Sequence, residues 1–307
     1  MPVLVLDAGN ALFKSPLPDG DPKVGERARF LLEQLDAVGT RAMAVGARDL
    51  SLGTDFLAKA SKGAKKLKLL SANLVDAGGK PLFPASLVVT EGGVKFGLVG
   101  ISPEGPVAGQ PPGGGGRPPV PAALAEARRL REKEQVDVVV VLAAVPYVEA
   151  TRLSQQAGNT VDFIVQSHEG RGAGVAQRND YATLIPPGER GRQLARLELS
   201  VDGKGPSVDL TEAERARENL KLLDANIQQA KARLAALKDE SARRALEEAV
   251  ASFESRRKQL VLQAGGNKEG LKRTHRLSYI QLGSDVADDP ELKKRVERIE
   301  PPGSASH

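Results

Sequence analysis

The sequence predicts an α/β domain followed by a helical hairpin, and three patterns carry that prediction. Residues 136–143 and 161–166 are short, almost continuous apolar runs, which is the pattern of strands buried inside a sheet. Residues 24–38 repeat their apolar side chains at helical spacing, so strands and helices alternate in the first two thirds of the chain. From Thr211 onward the pattern changes to a sustained helical repeat.

The elements of the first part follow one another in a regular order. Strands are expected at residues 3–6, 41–45, 67–72, 87–90, 94–101, 136–143, 161–166, 182–185 and 193–201, and helices at 24–38, 51–60, 121–134 and 148–156. The turn Glu91-Gly92-Gly93 predicts a hairpin, and Pro121 suits the first turn of a helix. Prolines flank the glycines of segment 103–121, so we expect a mobile surface loop there and not a phosphate-binding loop.

The second part is dominated by one helical repeat that breaks once. Apolar residues recur at three- and four-residue steps on both sides of a break at 238–241, which predicts an antiparallel hairpin; they are Leu220, Leu223, Ile227, Ala230, Leu234 and Leu237, then Leu246, Val250, Phe253 and Leu260. The predicted domains are therefore 1–205 (α/β), 206–264 (hairpin or coiled coil) and 265–307 (a strand, a short helix and a disordered tail). Gly265-Gly266-Asn267 is expected to end the hairpin, and Asp289 with Pro290 to begin the last helix.

The composition excludes several classes of function. The 307 residues contain no cysteine, which rules out disulfides, thiolate catalysis and cysteine-bound metals. The net charge of +5 is spread over interleaved acidic and basic residues, and aromatic residues are scarce at 3%, so we expect no nucleic-acid binding. We expect no membrane span and no signal peptide, because apolar runs are short and the chain opens on a strand.

Segments in the α/β part have the outline of known motifs in a fixed order. They are LVLDAGNALF at 4–13, LDAVG and AMAVG within 35–46, GARDLSLG at 46–53, SANL at 71–74, VKFGLVGI at 94–101, VDVVVVL at 136–142, VDFIVQSHEG at 161–170 and GERGRQLARL at 188–197. Together they resemble the bacterial 5′-nucleotidase branch of the calcineurin-like metallophosphoesterases, over residues 3–203. The resemblance implies a sandwich of two mixed sheets flanked by helices. It also implies that the family's first βα unit, with its Asp-x-His motif, is absent from this chain.

The resemblance implies a dinuclear metal site in the family, held by Asp, Asn and His, in which the metals activate water and neutralise phosphate charge. Most of those positions carry other residues in this chain: the bridging Asp is Asn10, the Asn and His of "GNHE" are Ala47 and Arg48, its Glu is Asp49, and the other His positions are Ala144, His168 and Gly170. We therefore expect no metal and no other cofactor.

The remnant positions of that site give the candidate residues. Arg48, Asp49 and His168 are the remnant catalytic positions, and Asn10, Arg48 and His168 are the candidate ligand-binding residues. An arginine in place of a metal ligand can bind phosphate or carboxylate through its guanidinium. If one ion is held after all, its ligands would be Asn10, Asp49 and His168, with Glu169.

Each candidate also has a local explanation. His168 can be a loop histidine with a nearby hydrogen bond, and Arg48 an exposed or salt-bridged residue. Asp7 is expected to be structural. His275 has charged neighbours in sequence and is expected to face solvent.

Three functions are compatible with these features. The favoured hypothesis is a pseudoenzyme: a 5′-nucleotidase-like domain that has lost its metal site and serves as a binding or scaffold module. Its partner, or a second copy, would bind the hairpin at 211–263, and a phosphate-containing ligand could occupy the remnant site. The alternatives are an active 5′-nucleotidase-type hydrolase using Mn, Zn or a similar divalent metal, and a coiled-coil oligomerisation protein. Most members of the family are periplasmic or surface-attached, and the compartment of this chain stays open.

Overall fold

The structure is a computed structural model that describes residues 1–17, 20–107, 110–167, 177–179, 181–186, 192–236, 239–264, 271–283 and 285–300. It divides into two compact units, Met1–Ala195 with Tyr279–His307, and Arg196–Ser278. The turn predicted at 265–267 and the tail at 301–307 lie outside the described residues.

The expected strands and helices are present, with bounds that shift by a few residues. The strands are β1 (Val5–Asp7), β2 (Thr40–Ala44), β3 (Lys68–Leu70), β4 (Leu74–Val75), β5 (Ser86–Glu91), β6 (Val94–Ile101), β7 (Gly115–Gly116), β8 (Val138–Ala143), β9 (Phe163–Gln166), β10 (Gln177–Asn179), β11 (Ala182–Ile185), β12 (Gln193–Val201), β13 (Val208–Asp209) and β14 (Arg273–Gln281). The helices are α1 (Val24–Ala37), α2 (Gly53–Ala60), α3 (Pro119–Glu132), α4 (Tyr147–Gln156), α5 (Thr211–Ala236), α6 (Glu240–Ala264) and α7 (Pro290–Ile299), and Arg48–Leu50 is a 3₁₀ turn.

Two sheets pack face to face in the first unit. One is parallel, in the order β1-β2-β3, and the other is mixed, in the order β10-β11-β9-β8-β6-β5 with antiparallel outer strands. Strands β2 and β3 contact β6, and the Ala72 N–H donates to the Gly100 carbonyl at 2.8 Å. Alternate side chains of each sheet face outward to helices: α1 and α2 cover the parallel sheet, and α3 and α4 cover the mixed one. The predicted sandwich with helices outside is confirmed.

Part of the glycine- and proline-rich segment, for which we expected a mobile surface loop, is a short strand. Its last glycines form β7, which pairs antiparallel with β4, and Gly115 is buried. A Cβ atom on Gly116 would lie 1.9 Å from the Pro103 carbonyl oxygen, so the close backbone approach explains a glycine there. Residues 108 and 109 lie outside the described part.

The last helix, α7, begins as predicted and lies on α1 through polar contacts. The Asp289 side chain accepts hydrogen bonds from the Glu291 and Leu292 N–H groups, at 2.9 and 3.0 Å. The Arg295 guanidinium forms two hydrogen bonds to the Glu33 carboxylate of α1, at 3.0 and 2.8 Å. No described side chain of α7 is buried, so charge and hydrogen bonding hold this helix in place.

The second unit contains the antiparallel pair α5 and α6. Their direction follows from three contacts: Arg217 with the Ala264 carbonyl at 3.0 Å, Asp224 with Arg257 at 2.6 Å, and Lys231 with Glu254 at 2.7 Å. Four residues of the predicted apolar stripe are buried, namely Leu223, Ile227, Ala230 and Val250. Five more are partly buried, namely Leu220, Leu234, Leu246, Phe253 and Leu260, and Leu237 lies outside the described residues. Neither helix, nor any other in the described part of the chain, is long and apolar enough to cross a bilayer.

Candidate functional site

The candidate residues gather where strands of the two sheets end. The loop after β1 carries Asn10, and the loop after β2 carries Arg48 and Asp49. Strand β9 of the other sheet ends next to Ser167, whose hydroxyl oxygen accepts a hydrogen bond from Asn10 Nδ2 at 2.7 Å. Because parallel strands present their carboxyl ends on one edge, the topology brings these loops together, and open α/β sites form at such edges.

The carboxylate of Asp49 holds the two loops of the parallel sheet together. Its Oδ2 accepts from the N–H groups of Asn10 at 2.7 Å and Gly46 at 2.8 Å. Its Oδ1 accepts from those of Ala11 at 2.9 Å and Leu12 at 3.1 Å. Asp49 is fully buried, and a carboxylate offers about four lone-pair sites. All of them are therefore engaged by the backbone.

Burial also shapes the acid–base behaviour of two carboxyl groups here. Desolvation by burial raises the pKa of Asp49 to about 6, although the hydrogen bonds from the N–H groups of Gly46, Asn10 and Leu12 act to lower it. The nearby Asp7 carboxylate raises this pKa further. Desolvation likewise raises the pKa of Asp7, whose Oδ1 accepts from the Gly9 N–H at 2.7 Å.

Asn10 is a buried connector between three segments. Its Oδ1 accepts from the Arg48 N–H at 3.0 Å, while its Nδ2 donates to Ser167. Its φ of 61° is in the left-handed region, which asparagine tolerates better than most residues. A Cβ atom on Gly46 would lie 2.2 Å from Asn10 Oδ1, so the amide fills the space over that glycine. Both ends of the amide are used by the protein.

Arg48 sits on the 3₁₀ turn and is partly exposed. Its guanidinium makes no hydrogen bond or ion pair with any residue that the structure describes.

Ala144, at the end of β8, is fully buried, and a Cβ atom on Gly9 would lie 3.0 Å from its methyl group. His168, Glu169 and Gly170 lie outside the described residues.

The described residues do not fit the family's two-metal site. Divalent metals of this class need free carboxylate oxygens or imidazole nitrogens as ligands. The lone pairs of Asp49 are taken by backbone N–H groups, Asn10 is neutral and engaged at both ends, and Ala47 and Ala144 have no donor atom. Within the described ranges, no three residues of the types His, Asp and Glu cluster as ligands would.

A second polar network supports the neighbouring strand ends, and the sequence analysis gave it no role. The Asn73 side chain donates to the carbonyls of Ser102 and Arg117, at 2.8 and 2.7 Å, and accepts from the Ser102 N–H at 2.8 Å. Ser102 Oγ in turn lies 2.8 Å from Ser71 Oγ and donates to the Val45 carbonyl at 2.5 Å. The network is buried and ties the ends of β2, β3 and β6 together. Asn73 and Ser102, each directly after a predicted strand, were the available signal.

The prediction that His275 faces solvent is wrong. Its side chain is fully buried in the second unit, with Nδ1 2.9 Å from Ser207 Oγ and Nε2 3.7 Å from Asp209 Oδ2. It lies on β14, where successive side chains point to opposite faces, so its exposed neighbour Arg276 points the other way. His275 serves the packing of the second unit and is remote in sequence from the candidate site.

No protein-family model matches the chain, and a search of curated proteins gives no match. Solved structures do match. A 5′-nucleotidase precursor from Thermus thermophilus is 24% identical with a TM-score of 0.52, over 67% of this chain and 43% of that one. The sulfate thiohydrolase SoxB from the same organism, in complex with glycerol, is 20% identical with a TM-score of 0.52, over 64% and 35%.

A calcineurin-like phosphoesterase, YfkN from Bacillus subtilis, is 18% identical with a TM-score of 0.49, over 66% of this chain and 72% of that one. The chain thus spans less than half of the length of the first two proteins. At this identity the likeness concerns the fold. The order of strands and helices and the motif outlines agree with it, and the chain has the fold of the 5′-nucleotidase-like metallophosphoesterases.

Proposed function

We propose that the first unit is a metallophosphoesterase-like domain that has lost its dinuclear metal site and acts as a binding or scaffold module. The observation that carries this proposal is the state of the Asp49 carboxylate. Four backbone N–H groups occupy it, so it holds the loops after β1 and β2 in place and has no lone pair left for a cation.

The substitutions at the other ligand positions support the same function. Asn10 replaces an anionic bridge by a neutral amide that is fixed by Arg48 N–H and Ser167. Arg48 brings a positive charge to an edge where the family has metal ions, and its guanidinium is not used by the described residues. A phosphate-containing or carboxylate ligand is the chemistry that a partly exposed guanidinium would bind.

Metal content and hydrolysis, measured on the same preparation, test the proposal. The full chain is purified with manganese and zinc supplied, and the metal per chain is determined by mass spectrometry. Hydrolysis of 5′-AMP and of p-nitrophenyl phosphate is then measured, with His168→Ala as the matched variant. We expect far less than one ion per chain and no hydrolysis above that of the variant.

The active-enzyme alternative gives the opposite result. One or more tightly held ions, together with hydrolysis that is lost in His168→Ala, would overturn the pseudoenzyme proposal. A binding experiment completes the test: inorganic phosphate, titrated by calorimetry, should bind the wild type more tightly than Arg48→Met. Equal affinities would remove Arg48 from the ligand site.

We also propose that α5 and α6 form the surface for a protein partner. The apolar stripe between the two helices is turned inward, but Leu222 of α5 and Val261 of α6 leave 67% and 43% of their surface exposed, and these are the side chains that a partner would cover. The division into 1–205, 206–264 and 265–307 stays a prediction about independent folding. The mass of a fragment 211–263 at several concentrations tests self-association: a coiled-coil oligomerisation module would self-associate as concentration rises, and a monomer would argue against it. Circular dichroism of the same fragment tests whether it folds alone.

A further inference from the structure

Strand β12 is an edge strand with a regular hydrogen-bonding pattern. The sheet order is β12-β14-β13, so only β14 adjoins β12 among the described strands. Two backbone bonds flank the pairing: Asp202 N–H to the Lys272 carbonyl at 2.6 Å, and Leu282 N–H to the Arg192 carbonyl at 2.7 Å. Both strands have the same number of residues between these bonds, and the side-chain hydrogen bond from Gln193 Nε2 to Gln281 Oε1 at 3.1 Å joins residues that are opposite in the same antiparallel register.

This register fixes which backbone groups of β12 point outward. Residues with even numbers direct N–H and C=O toward β14, since Arg192 and Asp202 do so at the two ends. The residues with odd numbers direct theirs to the open edge; they are Gln193, Ala195, Leu197, Leu199 and Val201. In the described part of the chain, no group forms a hydrogen bond with these outward N–H and C=O groups. Such an edge is a template for another strand.

The strand is symmetric in a way that suits pairing with itself. Gln193–Val201 extends four residues on either side of Leu197. If a second copy pairs antiparallel about Leu197, then Ala195 lies opposite Leu199 of the second copy. Each outward-pointing residue then meets another outward-pointing residue, as hydrogen-bonded pairs require. A two-fold axis at Leu197 is the symmetry of an isologous dimer.

The charges on the strand favour the same register. In this pairing Arg196 lies directly opposite Glu198 of the second copy, and Glu198 opposite Arg196 of the second copy. Opposite charges directly across two antiparallel strands stabilise the pair, and like charges destabilise it. Both side chains are accessible, at 50% and 35% of their surface, and in one chain they form an exposed pair at 2.5 Å. The two intrachain pairs, one in each copy, can be exchanged for two equivalent pairs across the axis.

From these observations we infer that the chain forms a two-fold dimer by antiparallel pairing of β12 with β12 of a second copy. The partner is another copy of this chain, recognised by five outward-pointing backbone positions and two reciprocal Arg–Glu pairs. The three-stranded sheet of each chain would continue across the axis into a six-stranded sheet. This surface shares no residue with the candidate site or with α5 and α6.

Charge reversal on the full-length chain tests the inference. Sedimentation velocity over a wide concentration range gives the dimer dissociation constant for the wild type, Arg196→Glu and Glu198→Arg. Each single variant places like charges opposite each other at both positions, so its self-association should weaken by at least about tenfold. An equimolar mixture of the two variants restores opposite charges at both positions and should form a heterodimer, which a folding defect cannot imitate.

A backbone variant separates this surface from others. Ala195→Pro removes an outward N–H without removing a bond to β14, so it should abolish the dimer while circular dichroism stays unchanged. Ala195→Val keeps the N–H and should keep the dimer. A wild type that stays monomeric at the highest concentration would overturn the inference. A dimer that forms with wild-type affinity in both Arg196→Glu and Ala195→Pro would also overturn it, because such a dimer must form through another surface.

Discussion

Asp49→Asn is the sharpest test of the buried carboxylate at the candidate site. An asparagine side chain has one oxygen and one NH₂ group, whereas the carboxylate accepts two N–H groups on each oxygen. In either orientation of the amide, the NH₂ group faces two backbone N–H donors and leaves them without an acceptor. Each buried, orphaned donor costs about 1–3 kcal/mol, so the geometry predicts a loss of about 2–6 kcal/mol.

The pKa of Asp49 makes this loss depend on pH. Burial raises the pKa from 3.8 to about 6, so the folded state binds the proton more tightly than the unfolded state does. The stability that this provides is fully present below pH 3.8 and is lost as pH rises through 6. The loss amounts to about 3 kcal/mol in all, about 2 kcal/mol of it between pH 4.5 and 7.5. Because Asn cannot ionise, the variant does not share this loss. The difference in the free energy of unfolding between the wild type and the variant should therefore be smaller at pH 7.5 than at pH 4.5.

Urea unfolding at pH 4.5 and 7.5 measures the difference between the two proteins. Asp36→Asn is the matched control. The N–H groups of Leu67 and Lys66 lower the pKa of Asp36, and both donate to its Oδ1, which an asparagine retains. Its titration lies below this pH range, so its effect on unfolding should be the same at both values. A pH-independent effect of Asp49→Asn would refute the raised pKa. An unchanged stability at pH 7.5, where the wild-type carboxyl group is ionised and accepts all four N–H groups, would refute the dependence of the loops on those bonds.

Three further substitutions test other parts of the first unit. Gly46→Ala places a methyl group in space held by a buried amide and should lower the free energy of unfolding by about 2 kcal/mol, whereas Gly63→Ala meets open space and should have little effect; urea unfolding compares them. Arg131→Met leaves the buried Asp162 carboxylate without its ion pair and should cost about 3 kcal/mol, part of which Asp162→Asn should restore. Arg295→Ala should speed hydrogen exchange of α7 amides without changing global unfolding, because the contacts of that helix are exposed; equal exchange rates would contradict this.

Periodicity predicted the fold well because it reports burial directly. The run that became β8 is buried at each of its six residues, as a central strand of a covered sheet must be. The cap at Asp289 was also predictable, since a cap depends on residues next to it in sequence. Asn10 and Arg48 were placed at the correct strand ends by their motif outlines.

The role of Asp49 could not be read from the sequence. Its acceptor sites are filled by N–H groups that lie 37 to 39 residues away, apart from Gly46, and motif outlines carry no information on backbone donors. His275 was mispredicted for a different reason. Its charged neighbours suggested exposure, but in a strand the neighbours of a residue point to the opposite face, so an exposed Arg276 argued for a buried position 275.

The double attachment of the Asn10 amide has a consequence for how sequences of this kind can change. Replacing Asn10 by Asp would keep an acceptor for the Arg48 N–H but lose the donor to Ser167. It would also add a second negative charge beside the buried Asp49. An acidic residue at position 10 is therefore costly unless its partners change with it, so the effects of substitutions at Asn10, Arg48 and Ser167 should not be additive.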